Sequence, residues 1–547
     1  MIRHLPLVLL ALLVVSCGPQ KEARSPCPTG ELCLHMGNDS EVLSLDPSKL
    51  QGTWETRVAG DMIIGLTQDG PDGKPVPGMA TSWETSPDGL VWTFHLRPAV
   101  WSDGVPVTAD DFVFSLRRTL DPKTAAQYAA LIYFIKNAQP INDGKLPLTA
   151  LGARALDART LQLTLEHPAP FLLEVAKHQT MFPEPEHVIA KYGDDWVRPG
   201  RFVSNGPYVL KDWKLGDHIE TVKNPRFWDA DKVCIDRVFY YPTNDAISAE
   251  RRIRRGELDW NGDIQSNRIA YLRRPDQIPA YVHTHTWLGV AYLAFNQGGK
   301  TDLPALRDRR VRIALDMAID REFITHKLLR GGQEPAYTFV PPGVANYTSA
   351  TPPVWASWTL ARRQAAAREL LRQAGFGPAR PLRLEIKHRN TPDPMLMMPA
   401  IQADWKQIGV EATLAQTETQ IAYDAYRNRD FEVADAAWIA DYNDPMTFLY
   451  LMQSSTGPQN YGDYKNPRVD ALLARADLER DAVKRAGIIR EAEQMVLGDA
   501  AVAPIFFYVN KNLVSPDVTG FVDNIVDWHR IRYLCFKDAQ RRRQGLR

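Results

Sequence analysis

One acidic residue is notable for the partner it lacks. Asp441 follows a strand-like run (Phe431, Val433, Ala434, Ala436, Ala437, Trp438) and precedes the turn Asn443-Asp444-Pro445. A carboxylate at the end of a half-buried strand, between the aromatics Trp438 and Tyr442, is costly to leave unpaired. No Lys or Arg lies in the octet Trp438–Pro445 or within six positions on either side. The ammonium group of a ligand is one natural partner.

Other chemistry is sparse. Asp441 and Asp444 could pair as two carboxylates, but Tyr442-Asn443 and Pro445 read as a turn rather than a catalytic dyad. No Gly-x-Ser-x-Gly elbow, His-Glu-x-x-His or phosphate loop is present, which argues against an enzyme. His283-Thr284-His285 would point both imidazoles to one face of a strand. With no Cys, Asp or Glu nearby the pair reads as structural, and neither a metal nor another cofactor is expected. Cys27, Cys33, Cys234 and Cys535 suggest disulfides, with three possible pairings.

The elements that must position these residues are mixed. Val91–Arg97 and Leu161–Leu165 alternate with period two, as strands do. Trp101-Ser102-Asp103-Gly104 is a turn between them and a helix opening at Thr108, a plausible N-cap with Asp110 and Asp111 in its first turn. Val311, Ala314, Leu315, Ala318 and Ile319 form an apolar helical stripe that Gly331-Gly332 ends. Further helices are expected at about 360–374, 395–407 and 482–497, with strands at 410–414 and 502–508. Met395, Met397 and Met398 read as core filler. The pattern is that of a layered α/β protein without repeats.

The N-terminus sets the compartment. Arg3 and His4 precede an apolar run, Leu5–Val15, shorter than the roughly 20 residues that span a bilayer. It reads as a signal peptide, and Val14-Val15-Ser16-Cys17 looks like a lipobox. Residues 1–17 are thus expected to be leader plus a lipidated Cys17, and 18–32, with Pro19, Pro26 and Pro28, a spacer. A protein exported to the periplasm and tethered there by acyl chains follows. The remaining chain is long enough for about three domains of roughly 100–200 residues each. Lys plus Arg (65) equals Asp plus Glu (65), which argues against nucleic acid as a partner. The basic end, Arg541–Arg547, reads as a solvated tail.

Several stretches resemble, in order, the large solute-binding proteins of bacterial peptide and nickel importers (extracellular solute-binding family 5). They are Leu43–Pro47, Pro77–Glu84, Trp92–Arg97 with Trp101–Gly104 and Val107–Phe112, Ser204–Tyr208, Leu210–Trp213, Arg312–Arg321 and Trp438–Pro445. The resemblance is greatest to the oligopeptide-binding branch and its murein-peptide-binding relatives. It implies a type II periplasmic-binding-protein-like α/β fold with a hinged cleft. Domain I would comprise 33–63, 189–288 and 510–547, domain II the insertion 64–188, and domain III residues 289–509. Domains I and III would close on the ligand as a monomer, with a membrane permease and ATPase as partners.

Carried over by motif, Asp441 would take a peptide's α-ammonium. The backbone of residues 436–440, including Ala436 and Ala440, and of Gln51-Gly52-Thr53 would pair with the ligand backbone by strand addition. Trp438, Tyr508 and Tyr128 would wall the ligand. Asp263 and Trp287 sit near positions that touch ligand in the family. The sequence also departs from the family pattern. Asp435 replaces a basic residue, Pro394 a His, Gln420 a Trp, and Gly289 with Ile439 a cysteine pair. The amine end looks kept and the carboxylate end rebuilt. A preference for basic peptides, drawn by Asp435 and Asp263, would follow. The alternatives are a nickel chelate, haem, an oligosaccharide or a murein peptide in the same fold, or a peptide-sensing or chaperone-like lipoprotein without import.

Overall fold

The computed structural model describes residues 25–298 and 303–544. The leader, Cys17 and most of the 18–32 spacer lie outside them. The described end of that spacer is tied to the fold: Cys27 is bonded to Cys33, and the Ser25 N–H donates to the Tyr241 hydroxyl at 3.1 Å.

An 11-stranded sheet runs through the molecule. Across it the strands are Val410–Thr417, Leu382–Arg389, Val433–Ile439, Val282–Phe295, Val502–Val514, Trp260–Asn261, Cys33–Gly37, Arg237–Tyr241, His218–Lys223 and Tyr208–Lys214, with Glu334–Pro335 paired off this path to Val502–Val514. Two strands are long enough to belong to both halves of this sheet, Val282–Phe295 and Val502–Val514. They pair antiparallel, with a register break between Thr286 and Val290. The boundaries expected at 288/289 and 509/510 fall inside these strands. A second, four-stranded sheet is built within residues 64–188. There Val91–Leu96 pairs directly with Thr160–Thr164, the two period-two segments. Separate apolar clusters pack the halves: Ala291, Leu293, Leu384 and Trp405 in one, Met36, Val238 and Phe112 in another.

Local signals account for many element ends. Thr108 caps the helix Ala109–Leu120, and its N–H donates to Asp111 Oδ2 at 2.7 Å in a capping box. Helices end at Gln373 and Gln407, each followed two residues on by a left-handed glycine, Gly375 (φ 88°) and Gly409 (φ 82°). The 311–331 stripe does not form one helix. It breaks after Arg309–Met317, and Phe323–Leu329 resumes as a wider π-helical turn. Arg321, fully buried, binds the Asp316 carboxylate and carbonyl across the break. Those contacts replace helical bonds that an amphipathic pattern alone presupposes.

The cysteines pair Cys27–Cys33 and Cys234–Cys535. Within the described part of the basic end, Arg542 and Arg543 are docked rather than solvated. Arg542 pairs with Asp517 at 3.1 Å and lies over the Phe536 ring at 3.8 Å, while Arg543 pairs with Asp236 at 2.5 Å. His283 faces Asp523 and His285 the Thr286 carbonyl, so the two imidazoles have separate neighbours. Among the described residues no helix is long and apolar enough to cross a membrane.

Candidate functional site

The strand Val433–Ile439 is paired on one side with Val282–Phe295 over its whole length. On its other side the parallel strand Leu382–Arg389 pairs only at Val433 and Ala434. Beyond Ala434 that edge has no strand partner among the described residues, and it faces a cavity of about 550 Å³. Clefts that enclose small ligands run from roughly 300 to 1,000 Å³. An unpaired strand edge lining such a cleft is a template for an added strand.

Asp441 stands at the end of that edge. Its side chain is 12 % exposed, and Oδ2 is buried with no hydrogen-bond partner among the described residues. Burial alone pushes its carboxyl up to about 7. The nearest basic group is His178, whose Nε2 lies 4.0 Å from Oδ1. Burial pushes that imidazole down to about 3, so it stays neutral. The Asp441 N–H donates to Thr447 Oγ1 at 3.2 Å, which fixes the backbone but leaves the carboxylate free. Asp444, three residues on, is gripped by Arg485 at 2.7 and 2.9 Å. One carboxylate is neutralised and the other is not, so they do not act as a pair.

Asp441, Trp438, Ala440, Tyr128, Tyr508, Trp287, Gln51, Gly52 and Thr53 all line the one cavity. They come from segments about 400 residues apart. Trp287 and Tyr508 meet edge to face at 6.0 Å, and Trp438 meets Tyr450 likewise at 5.7 Å. The indole N–H groups of Trp287 and Trp438 are buried without partners among the described residues, two further donors at the cavity wall.

Four expectations need correction. Asp435 is fully buried beneath Arg389, which holds it with Nε and Nη2 at 2.8 and 3.0 Å. Its charge is neutralised and attracts no basic peptide. Asp263 lies off the cavity and pairs with Lys511 at 3.4 Å. Ala436 is buried behind the cavity wall, in register with Tyr292. The backbone at 51–53 is largely committed. The Gln51 and Gly52 N–H groups donate to Glu55, and the Gly52 carbonyl accepts from the helix Thr53–Met62. Strand addition is therefore available on the 437–440 side and not at Gly52.

Sequence reasoning missed His178, Arg389, Tyr423, Arg427, Tyr461 and Trp528, which also line the cavity. Arg389 left a signal: an acid in an apolar strand, Asp435, requires a cation nearby. His178 left none.

A family model described as "Bacterial extracellular solute-binding proteins, family 5 Middle" matches residues 74–460. The chain is 36% identical over 488 residues to the periplasmic oligopeptide-binding protein of Escherichia coli K12, covering 88% of each chain. It is 36% identical over 524 residues to the periplasmic murein peptide-binding protein of the same strain, covering 94% of this chain and 95% of that one. Among solved structures, OppA of Burkholderia pseudomallei superposes with a TM-score of 0.87 at 33% identity, covering 92% of this chain and 99% of that one. Haemophilus influenzae OppA in complex with RPPGFSPFR gives 0.85 at 32% identity, covering 92% and 99%. An unliganded open form of a murein-tripeptide-binding protein gives only 0.71 at 35% identity, covering 92% and 97%. At comparable identity the peptide complex superposes more closely than the open form.

Proposed function

The chain belongs to the bacterial extracellular solute-binding proteins of family 5, and we propose that it captures short peptides in this cleft and delivers them to a membrane importer. The observation that carries this reading is the Asp441 carboxylate, enclosed in the cavity with no cation paired to it among the described residues. A peptide's α-ammonium supplies the missing charge, and closure desolvates the pair so that it counts for more than in water. The open edge at 437–440 offers main-chain bonds that read no side chains. Aromatic walls admit varied residues.

The mechanism is non-catalytic. Ligand enters between domain I (33–63, 189–288, 510–547) and domain III (289–509), with domain II (64–188) contributing Tyr128 and His178 to the wall. Peptide favours the closed state to the extent that it binds that state more tightly. The long strands Val282–Phe295 and Val502–Val514 run between these segments, and their register break supports a hinge there. Export and acylation at Cys17 hold the monomer beside its permease in the periplasm.

Titration of the mature protein with tri-alanine and with N-acetyl-tri-alanine tests the reading. The free amine is expected to bind at least tenfold more tightly. Equal binding of the two would remove Asp441 as the anchor. Mass spectrometry of the ligand that co-purifies with native protein would identify the cargo.

A further inference from the structure

At the end of the large sheet remote from Val433–Ile439, the strands Tyr208–Lys214 and His218–Lys223 form a hairpin. In its antiparallel register Asp212 is opposite Glu220, and Lys214 is opposite His218. Residues two apart on a strand share a face, so Asp212, His218 and Glu220 lie on one side of the hairpin. A ring nitrogen of His218 and a carboxylate oxygen from each of Asp212 and Glu220 all fall within 4.8 Å of one another. None of the three lines the cavity that holds Asp441.

His218 is only 6 % exposed and packs edge to face on Phe239 at 5.4 Å. Its Nδ1 is buried and makes no hydrogen bond among the described residues. Asp217 Oδ2 lies 3.2 Å from that atom but out of line for one. A buried polar atom left so is costly, and an ion held by the ring is one way to satisfy the imidazole. The acids around it are only partly neutralised. Arg237 spends Nε and Nη2 on Glu31, at 2.7 and 3.1 Å, and only Nη1 on Glu220. Lys214 Nζ lies 3.3 Å from Asp212 Oδ2 but is 58 % exposed, so water screens the pair. In these contacts four carboxylates, Glu31, Asp212, Asp217 and Glu220, share two permanent cations.

We propose that Asp212, His218 and Glu220 bind a divalent transition-metal cation of the zinc class, with water as a further ligand. One imidazole with two carboxylates and no thiolate suits such an ion, whereas magnesium and calcium prefer oxygen ligands alone and more of them. Ligand atoms about 2 Å from a tetrahedral ion stand about 3.3 Å apart, so the side chains must draw together by up to about 1.5 Å. The Asp212 side chain, 37 % exposed, has room to move and leaves the solvent side open to water. His218 and Glu220 come from one strand and Asp212 from its neighbour, so the ion staples the last two strands of the sheet. Its effect is on stability, and it does not depend on the peptide-binding reading.

The test is zinc titration of the mature protein after stripping with a chelator, read by calorimetry and by thermal melting. Native protein is expected to take up one zinc equivalent that Asp212→Asn and Glu220→Gln each bind at least tenfold more weakly. Zinc should raise the melting temperature of native protein and of neither variant, and magnesium at the same concentration should raise none. Both replacements keep the side-chain shape. Asp212→Asn sits at a partly exposed position, and its metal-free melting should match that of native protein, so its loss of zinc reads the site rather than the fold. Tri-alanine affinity is expected to be the same with and without zinc, which separates this site from the cleft. Absence of zinc uptake by native protein, equal zinc affinity in both variants, or a magnesium shift as large as that of zinc overturns the assignment. A zinc-dependent change in peptide affinity would place the ion in the cleft and overturn it too.

Discussion

The Nε2 atom of His178 lies 4.0 Å from Oδ1 of Asp441, too far for a hydrogen bond and beside a carboxylate that has no other basic neighbour among the described residues. Burial disfavours charge on both groups, raising the acid to about 7 and lowering the imidazole to about 3. Burial in the cleft therefore favours the neutral acid unless a cation sits beside it.

Asp441→Asn keeps the shape and removes the charge. Peptide affinity is expected to fall by several powers of ten, since breaking one buried charged pair costs about 3–5 kcal/mol. Without peptide the variant should melt no lower than the parent at pH 8, because an unpaired buried carboxylate has been removed. Calorimetric titration and thermal melting read the two outcomes, and a large drop in melting temperature would mark Asp441 as structural.

Binding should weaken in acid. A bound ammonium requires an ionised Asp441, and closure around that group without a cation raises it to about 7. Affinity is expected to fall as pH drops from 7 toward 5, with proton release when peptide binds the closed state near pH 7. The opposite trend holds for the unliganded fold. Its Asp441 is raised above the ordinary value of 3.8, so the unfolded chain ionises first. This group's unfavourable share grows as pH rises from about 4 to about 7 and is complete above that. Calorimetry in buffers of different ionisation enthalpy measures the proton count, and a count of zero at pH 7 would contradict the shift.

Arg485→Ala should destabilise strongly. It strips the bidentate partner from Asp444, whose side chain is only 12 % exposed. A cost of about 3–5 kcal/mol in denaturant unfolding is expected, from the acid left alone. Arg485→Leu/Asp444→Leu should recover most of it.

Removing the Cys234–Cys535 bond by a double serine replacement frees the C-terminal segment, which closes a loop spanning 301 positions. Loss of about 2–5 kcal/mol is expected, read as a lower denaturant midpoint under oxidising conditions. Peptide affinity at low denaturant should stay the same, since neither cysteine lines the cavity.

Much of this molecule was legible in its residues. Period-two strands, the Thr108 cap and the glycine stops are local signals, and local physics decides them. Asp441 was legible for the same reason. An acid that ends an apolar strand with no base near it in sequence must find its partner from a distance. The same argument applies to Asp435 and gives the opposite result. That acid meets Arg389, 46 positions earlier, because the strand Leu382–Arg389 is laid parallel beside it.

The sequence by itself determined the class of fold and marked Asp441 as an acid with no counter-charge near it along the chain. The tertiary structure alone decided which acids are neutralised, which edge stays open and which distant side chains wall the cavity. Strand order and domain closure set those, and both depend on packing between segments hundreds of residues apart. Spacing along the chain does not encode which of two similar carboxylates a distant arginine will reach.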